Sequence, residues 1–207
     1  MRFLAIFLCL ILGSAAQAEP SYPGCTKQQS LGIRTAIADA KALAVVASAS
    51  VADTPIYHRW FGKYSPAKAE QVRSNMKAIV TGIRTGAVTA SCDSIGVGGC
   101  EPETYAFVYA DEPYQIHICP QFFSLPKMAD VAPGEPASDN GTRSGTIIHE
   151  ISHFINVAGT EDECYSRSVC SRMANRTSDR AVINADSYQY FAEDLNYYTI
   201  NTEAWVD

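Results

Sequence analysis

The chain has 207 residues, 47% of them hydrophobic and 18% charged, with a formal net charge of −6. That length and apolar share suffice for one domain with a real core. The acidic balance, with no basic patch, argues against nucleic acid or an anionic membrane surface as a partner.

Residues 1–18 read as a secretory signal. Arg2 is the charged start, Phe3 to Leu12 the apolar stretch, and Ala16-Gln17-Ala18 the small-residue cleavage site. The apolar run is too short for a comfortable membrane span, and no other candidate follows. Its removal leaves residues 19–207 as one domain with 15 basic and 22 acidic residues, a formal net charge of −7. The expected product is a monomer outside the cytoplasm, extracellular or periplasmic, with no membrane association after signal removal. Cys9 leaves with the signal. The six cysteines that remain, Cys25, Cys92, Cys100, Cys119, Cys164 and Cys170, are an even number in an exported chain and imply three disulfides, without fixing their pairing.

A first helix is predicted from a Thr26 cap, whose Thr-Lys-Gln-Gln start has the form of a capping box, to about Val51. Ile33, Ile37, Ala40, Ala44 and Ala47 recur along it with the helical period. A second is predicted from Ser65 as cap, with Pro66 in its first turn, to Gly86, with Val72, Met76, Ile79, Val80 and Ile83 as its buried stripe. The period then changes. Ala87 to Ser91, Tyr105 to Ala110 and Gln115 to Cys119 have the pattern of short strands, the last two joined across Asp111-Glu112-Pro113 in a small antiparallel sheet. His117 reads as a cross-strand or surface histidine, and His58 as structural. Residues 126 to 143 are rich in Pro, Gly, Ser and Asp and read as a loop. The C-terminal third is helical in pattern, with Asp179 as a cap and Tyr190, Phe191 and Leu195 on an apolar face. The fold class expected is α+β, mostly helical with a small sheet.

The run His149-Glu150-Ile151-Ser152-His153 carries the chemistry. On a helix, residues four apart share a face, so the two imidazoles converge on one point. Two neutral imidazoles, one further protein ligand and a water make the open tetrahedral site of catalytic zinc. Glu150 stands where its carboxylate reaches the water rather than the metal, the arrangement of a zinc peptidase. The plain alternative is an amphipathic helix with two surface histidines. Against it, Thr146-Ile147-Ile148 before and Phe154-Ile155 after are the apolar neighbours of a buried helix, in which polar side chains must be satisfied. The third ligand must come from elsewhere. Gly159 fits the end of the His-bearing helix, and beyond it Glu161, Asp162, Glu163 and Cys164 are all able to bind zinc. Spacing does not choose among these four.

The pentad, then five residues, then Gly159-Thr160 followed by Asp162 and Tyr165, resembles the aspzincins, the deuterolysin and peptidyl-Lys metalloendopeptidase group of secreted zinc endopeptidases. Tyr57-His58-Arg59-Trp60-Phe61-Gly62, His117-Ile118-Cys119, Asn184-Ala185-Asp186 and Tyr190-Phe191-Ala192-Glu193 resemble segments of the lysine-specific branch, in the same order. The resemblance implies a zincin-like fold, one zinc ion per chain and protein or peptide substrates. It implies His149, His153 and Asp162 as zinc ligands, Glu150 as general base and Tyr165 as donor to the tetrahedral intermediate. Glu161 and Glu163 are then solvated carboxylates at a helix start. The Gln115–Cys119 strand is expected to offer a free edge to the substrate backbone.

For the disulfides, the resemblance implies Cys25–Cys92 and Cys100–Cys119, leaving Cys164 with Cys170. Residues six apart on a straight helix are separated by roughly 9 Å along its axis, beyond disulfide reach. Either the helix after Asp162 is interrupted near Ser166 to Ser168, or these two cysteines are not paired. In the lysine-specific branch, the position of Asp186 and an acidic residue three further on hold the substrate lysine. Gln189 stands at that second position. A relaxed preference for cleavage on the amino side of lysine is therefore expected. A rival reading is a secreted zinc-containing binding or effector module without turnover, whose mark would be the loss of Glu150 or Tyr165. Both are present.

Overall fold

In the computed structural model of the protein, the described residues are 20–131, 135–136, 139–195 and 198–199. The expected signal and Cys9 lie outside them.

Helix α1 (Lys27–Ala49) starts as its sequence dictates: the Thr26 side chain accepts from the Gln29 amide, and the Gln29 side chain accepts from the Thr26 amide. Its buried stripe, Ile33, Ala36, Ala40, Leu43, Ala44 and Ala47, is mostly alanine, so the helices laid against it come close. Helix α2 (Pro55–Phe61) is capped by Thr54 and buries Tyr57, Trp60 and Phe61. Periodicity did not mark it, because seven residues hold too few turns to show a stripe. Helix α3 (Pro66–Thr85) has Ser65 as its cap and Pro66 in its first turn, and buries Val72, Met76, Ile79 and Ile83.

Three strands follow: β1 (Thr89–Cys92), β2 (Ala106–Phe107) and β3 (Gln115–Ile118). They lie in the order β1-β3-β2, and this corrects two expectations. The sheet is mixed rather than antiparallel, since β1 runs parallel to β3 with Thr89 opposite Gln115, while β2 pairs antiparallel with Phe107 opposite His117. The cause is the crossing segment between β1 and β2, which carries the chain over to the far side of β3 before it turns back. Alternation along a strand does not encode direction, so a strand pattern cannot reveal this. Because β3 is central, it has no free edge to offer. The outer strand is β2, while Ser21 lies along β1, its amide donating to the Val88 carbonyl at 3.1 Å. His117 packs as a cross-strand residue, stacked on Phe107 at 4.4 Å with Nδ1 2.7 Å from Asp93. His58 is paired with Asp53 at the surface.

After two short 3-10 helices and strand β4 (Glu135–Pro136) comes helix α4 (Arg143–His153), capped by Thr142 and buried from Ser144 to Ser152. Helices α5 (Arg167–Arg176), α6 (Ser178–Ala181) and α7 (Ala185–Asp194) complete the core, with β5 (Tyr198–Thr199) beside β4. Thr177, not Asp179, stands at the start of α6; Asp179 is inside that helix, paired with Lys68 at 2.9 Å. Helices α4 and α7 cross so closely that a Cβ at Gly145 would lie 1.9 Å from Glu193 Oε1. No helix among the described residues is long and apolar enough to cross a membrane.

The three disulfides join Cys25 to Cys92, Cys100 to Cys119 and Cys164 to Cys170. The last pair resolves the reach problem by interruption: α5 begins only at Arg167, and the Cα atoms of Cys164 and Cys170 are 5.5 Å apart.

Under the crossing of α4 and α7 lies a buried ionic cluster. Arg167, 3% exposed, pairs with both Glu193 and Asp194 and stacks over Tyr190 at 4.4 Å. Trp60 Nε1 donates to Asp194 at 2.9 Å, and the Thr142 amide and hydroxyl both donate to Glu193 at 2.8 Å. Burial pushes both carboxyls above their ordinary range, and Arg167 is the largest influence opposing it. Removing one partner of such a buried cluster costs about 3–5 kcal/mol, because charge is left uncompensated. Arg167→Met is expected to lower the urea midpoint by a corresponding amount with the slope unchanged. A loss below about 1 kcal/mol would show that the two carboxyls take up protons there at little cost.

Candidate active site

Both pentad imidazoles lie in the last two turns of α4, their ring centroids 4.8 Å apart. Each has its Nδ1 committed. His149 Nδ1 is 2.8 Å from Asp186 Oδ1, and His153 Nδ1 is 2.8 Å from the Thr160 carbonyl. A carbonyl only accepts, so His153 must carry its proton on Nδ1, and the carboxylate imposes the same tautomer on His149. Both Nε2 lone pairs are thereby turned to one point, where Asp162 Oδ1 stands 3.2 Å from His149 Nε2 and 3.4 Å from His153 Nε2.

Those separations give a direct test of whether a zinc ion fits. Ligands about 2.0–2.2 Å from a tetrahedral ion are about 3.4 Å from one another. A carboxylate oxygen at that spacing from each of two imidazole nitrogens matches the zinc donor set. Glu150 supplies a second carboxylate nearby, and its ligand atom lies with those of His149 and His153 within 4.8 Å of one another. Asp162 makes the closer approach to both rings. Without a metal, burial works to lower the His149 pKa, but hydrogen bonds to Asp162 and Asp186 hold it well above the ordinary range. Partial burial works to raise the Asp162 carboxyl, and the two imidazoles outweigh it and hold it far below. Protons therefore compete with the metal for these nitrogens.

The chain reaches Asp162 by turning back along α4. The helix ends at His153 with Phe154 as its cap, so Gly159 is not the terminating residue expected from sequence. It closes the next turn instead, at φ 56°, with its amide on the Phe154 carbonyl at 3.1 Å. The Thr160 amide then bonds the Ser152 carbonyl at 3.1 Å, and the two side-chain hydroxyls meet at 2.6 Å. Glu161 and Glu163 are loop residues rather than helix-start residues. Glu161 bridges to Asn184, and Glu163 accepts from Arg180 Nε at 2.5 Å.

Glu150 is 4% exposed; burial raises its carboxyl, with the neighbouring imidazoles pulling the other way. Tyr165 lies with its ring nearly parallel to that of His149, centroids 6.4 Å apart, yet is 62% exposed and so faces the open side. Its covered part, then the Asp162 carboxylate, push its hydroxyl well above the usual phenol range, so it is a donor at any working pH. Asp186 is 4% exposed, with Oδ1 on His149 and Oδ2 accepting the Ser166 amide at 2.9 Å. Gln189 is one turn further along α7 and lies against the start of α4, where a Cβ at Gly141 would meet its Nε2 at 1.8 Å. The structure thus gathers His149, Glu150, His153, Asp162, Tyr165 and Asp186, with Gln189 against Gly141 and Gly145 at the start of α4. Sequence reasoning missed Thr160, whose part is played by a backbone carbonyl that no residue type signals. It also missed Asn184, quoted only as one member of a run.

The profile of the aspzincin family, described as lysine-specific metallo-endopeptidase, matches residues 46–193. An extracellular protease of Aeromonas hydrophila is 33% identical over 89% of this chain and 52% of its own length. A peptidyl-Lys metalloendopeptidase of Armillaria mellea is 31% identical over 84% of this chain and 46% of its own. The chain thus spans about half the length of these curated relatives. A zinc peptidase from Grifola frondosa shares the fold, with a TM-score of 0.70 at 24% identity over 83% of this chain and 98% of that one. With the profile covering well over half of its residues, this chain belongs to the aspzincin family of metallo-endopeptidases.

Proposed function

We propose that the protein is a secreted zinc endopeptidase, one domain over residues 19–207, acting as a monomer on proteins or peptides. The observation that carries this reading is the convergence of His149 Nε2, His153 Nε2 and Asp162 Oδ1 at zinc-ligand spacing, with the buried Glu150 alongside. Secretion is supported by the leader pattern of residues 1–18, by three disulfides and by the description of the Aeromonas relative as extracellular.

When bound, zinc supplies a Lewis acid that polarises a carbonyl and acidifies a water. His149, His153 and Asp162 are assigned as its protein ligands. Glu150 takes the proton of the attacking water and delivers it to the departing amine; burial, which raises its carboxyl, suits both halves of that shuttle. Tyr165, half open to solvent beside His149, donates its hydroxyl to the oxygen that gains charge. Asp186 fixes the tautomer of His149. It also lends negative charge to the pocket for the residue after the scissile bond, with Gln189 as neighbour. Both Asp186 oxygens already accept bonds, and Gln189 adds no charge. Both facts favour a preference for lysine that is relaxed rather than strict.

Hydrolysis of denatured casein, with and without a chelator, tests the activity. Glu150→Gln is expected to abolish hydrolysis with zinc still bound, because the amide cannot accept the proton while all three ligands remain. Asp162→Ala, by contrast, is expected to lose zinc. Equal zinc loss in Glu150→Gln and His149→Ala would contradict the assigned roles, as would full zinc occupancy in Asp162→Ala.

For Tyr165→Phe the expected loss is about a hundredfold to a thousandfold in kcat with little change in KM. An unchanged kcat would return Tyr165 to an ordinary surface aromatic. Sequencing the peptides released from a denatured protein is expected to show lysine enriched, though not exclusive, at new amino termini, and Gln189→Glu should sharpen that enrichment. No enrichment in either protein would remove the lysine pocket.

A further inference from the structure

The loop that carries Asp162 and Tyr165 is held from one side by a four-residue segment at the start of α7. The Glu161 amide donates to the Ile183 carbonyl at 2.7 Å, and the Ala185 amide returns a bond to the Glu161 carbonyl at 3.0 Å. The amides of Glu163 and Cys164 both donate to Asn184 Oδ1, at 2.9 and 3.0 Å. The Ser166 amide donates to Asp186 Oδ2 at 2.9 Å. Asp162 therefore sits between two held neighbours, Glu161 and Glu163, and Tyr165 between Cys164 and Ser166.

We infer that Asn184 is a positioning residue of the metal centre: its side-chain carbonyl, by gathering two successive amides, sets where the Asp162 carboxylate stands. The inference rests on Asp162 being the third zinc ligand. Asn184 is fully buried, so the choice of residue is chemical rather than a matter of solubility. An amide oxygen has two lone pairs and accepts both N–H groups at once. Its orientation is not free, because both partners are donors and the oxygen must face them. The nitrogen end is tied to its own helix, Nδ2 donating to Ser187 Oγ at 3.3 Å. Ligands of a tetrahedral ion tolerate displacements of only about 0.2 Å, so a template of this kind acts directly on metal affinity. The same segment reaches the other side of the site through Asp186 and His149. Two of the three ligands are thus set from one helix start.

The test is zinc affinity, measured by competition with a chromophoric chelator, in the unaltered protein, Asn184→Ala, Asn184→Asp, Asp162→Ala and the double variant Asn184→Ala/Asp162→Ala. Asn184→Ala is expected to weaken zinc binding about 10-fold to 100-fold, the usual effect of removing a partner behind a ligand. Asn184→Asp keeps an oxygen that accepts both amides and is expected to bind zinc more tightly than Asn184→Ala. In the Asp162→Ala background the Asn184→Ala change should add nothing, since its effect passes through that ligand. Should Asn184→Ala fail to fold, Asn184→Asp decides alone, retained affinity supporting the inference and a loss of about tenfold or more overturning it. The inference is also overturned if Asn184→Ala leaves affinity unchanged while Asp162→Ala lowers it. An equal loss with and without Asp162 overturns it too, for that is general destabilisation. Full affinity in Asp162→Ala itself would overturn the ligand assignment, and this inference with it.

Discussion

Two imidazoles on successive turns of a buried helix can share one cation only if each turns an unprotonated ring nitrogen to it. Most of the structure around α4 serves that constraint. The two acceptors that impose it come from different places. Asp186 reaches His149 from α7, and the Thr160 carbonyl reaches His153 from the chain's own return along the helix it has just left. Both acceptors keep the proton on Nδ1, so Nε2 is the nitrogen that gives up its proton when a metal binds. The Ser152–Thr160 hydroxyl contact and the left-handed turn at Gly159 are what bring that carbonyl back into reach.

Three stretches far apart in sequence, residues 142–153, 160–167 and 183–194, must meet to within a fraction of an ångström. Two buried polar systems hold them. At the start of α7, Asn184 and Asp186 hold the loop; near its end, Glu193 and Asp194 hold Arg167, and Glu193 also caps the start of α4 through Thr142. Between the two anchors, Ser166 adopts φ 71° and ψ 153°, a conformation ordinary only for glycine. Such a residue costs about 1–3 kcal/mol and persists where its surroundings over-determine it. Here the surroundings are the Asp186 carboxylate on its amide, the Cys164–Cys170 bridge around it and the Asp139 carbonyl accepting from Arg167 at 3.2 Å. The strain is borne at the turn that delivers Tyr165 to the site.

Local features were the legible part of this sequence. The Thr26 and Ser65 caps, the helical stripes of α1 and α3, and a helix ending in the pentad could be read from residue type and spacing, and each is present. What the sequence withheld were relations between distant segments. Strand direction leaves no trace in a period of two residues, so the parallel pairing of β1 with β3 was invisible. The free edge expected of β3 failed for the same reason. At the site, the choice of Asp162 among four chemically able neighbours came from family resemblance; its Oδ1 stands 3.2 and 3.4 Å from the two Nε2 atoms. Thr160 acts through a carbonyl that every residue possesses, and Asn184 through contacts some twenty residues away. Gln189, grouped with Asp186 by a spacing of three, lies against the start of α4, a neighbour that spacing along one helix does not reveal.

X-ray absorption at the zinc edge, on protein reconstituted with one zinc ion per chain, tests the metal centre most directly. The expected first shell holds two imidazole nitrogens at about 2.0–2.1 Å and oxygen at about 2.0–2.2 Å, with no sulfur. A shell containing a thiolate at about 2.3 Å, or only one imidazole, would contradict the centre proposed at His149, His153 and Asp162.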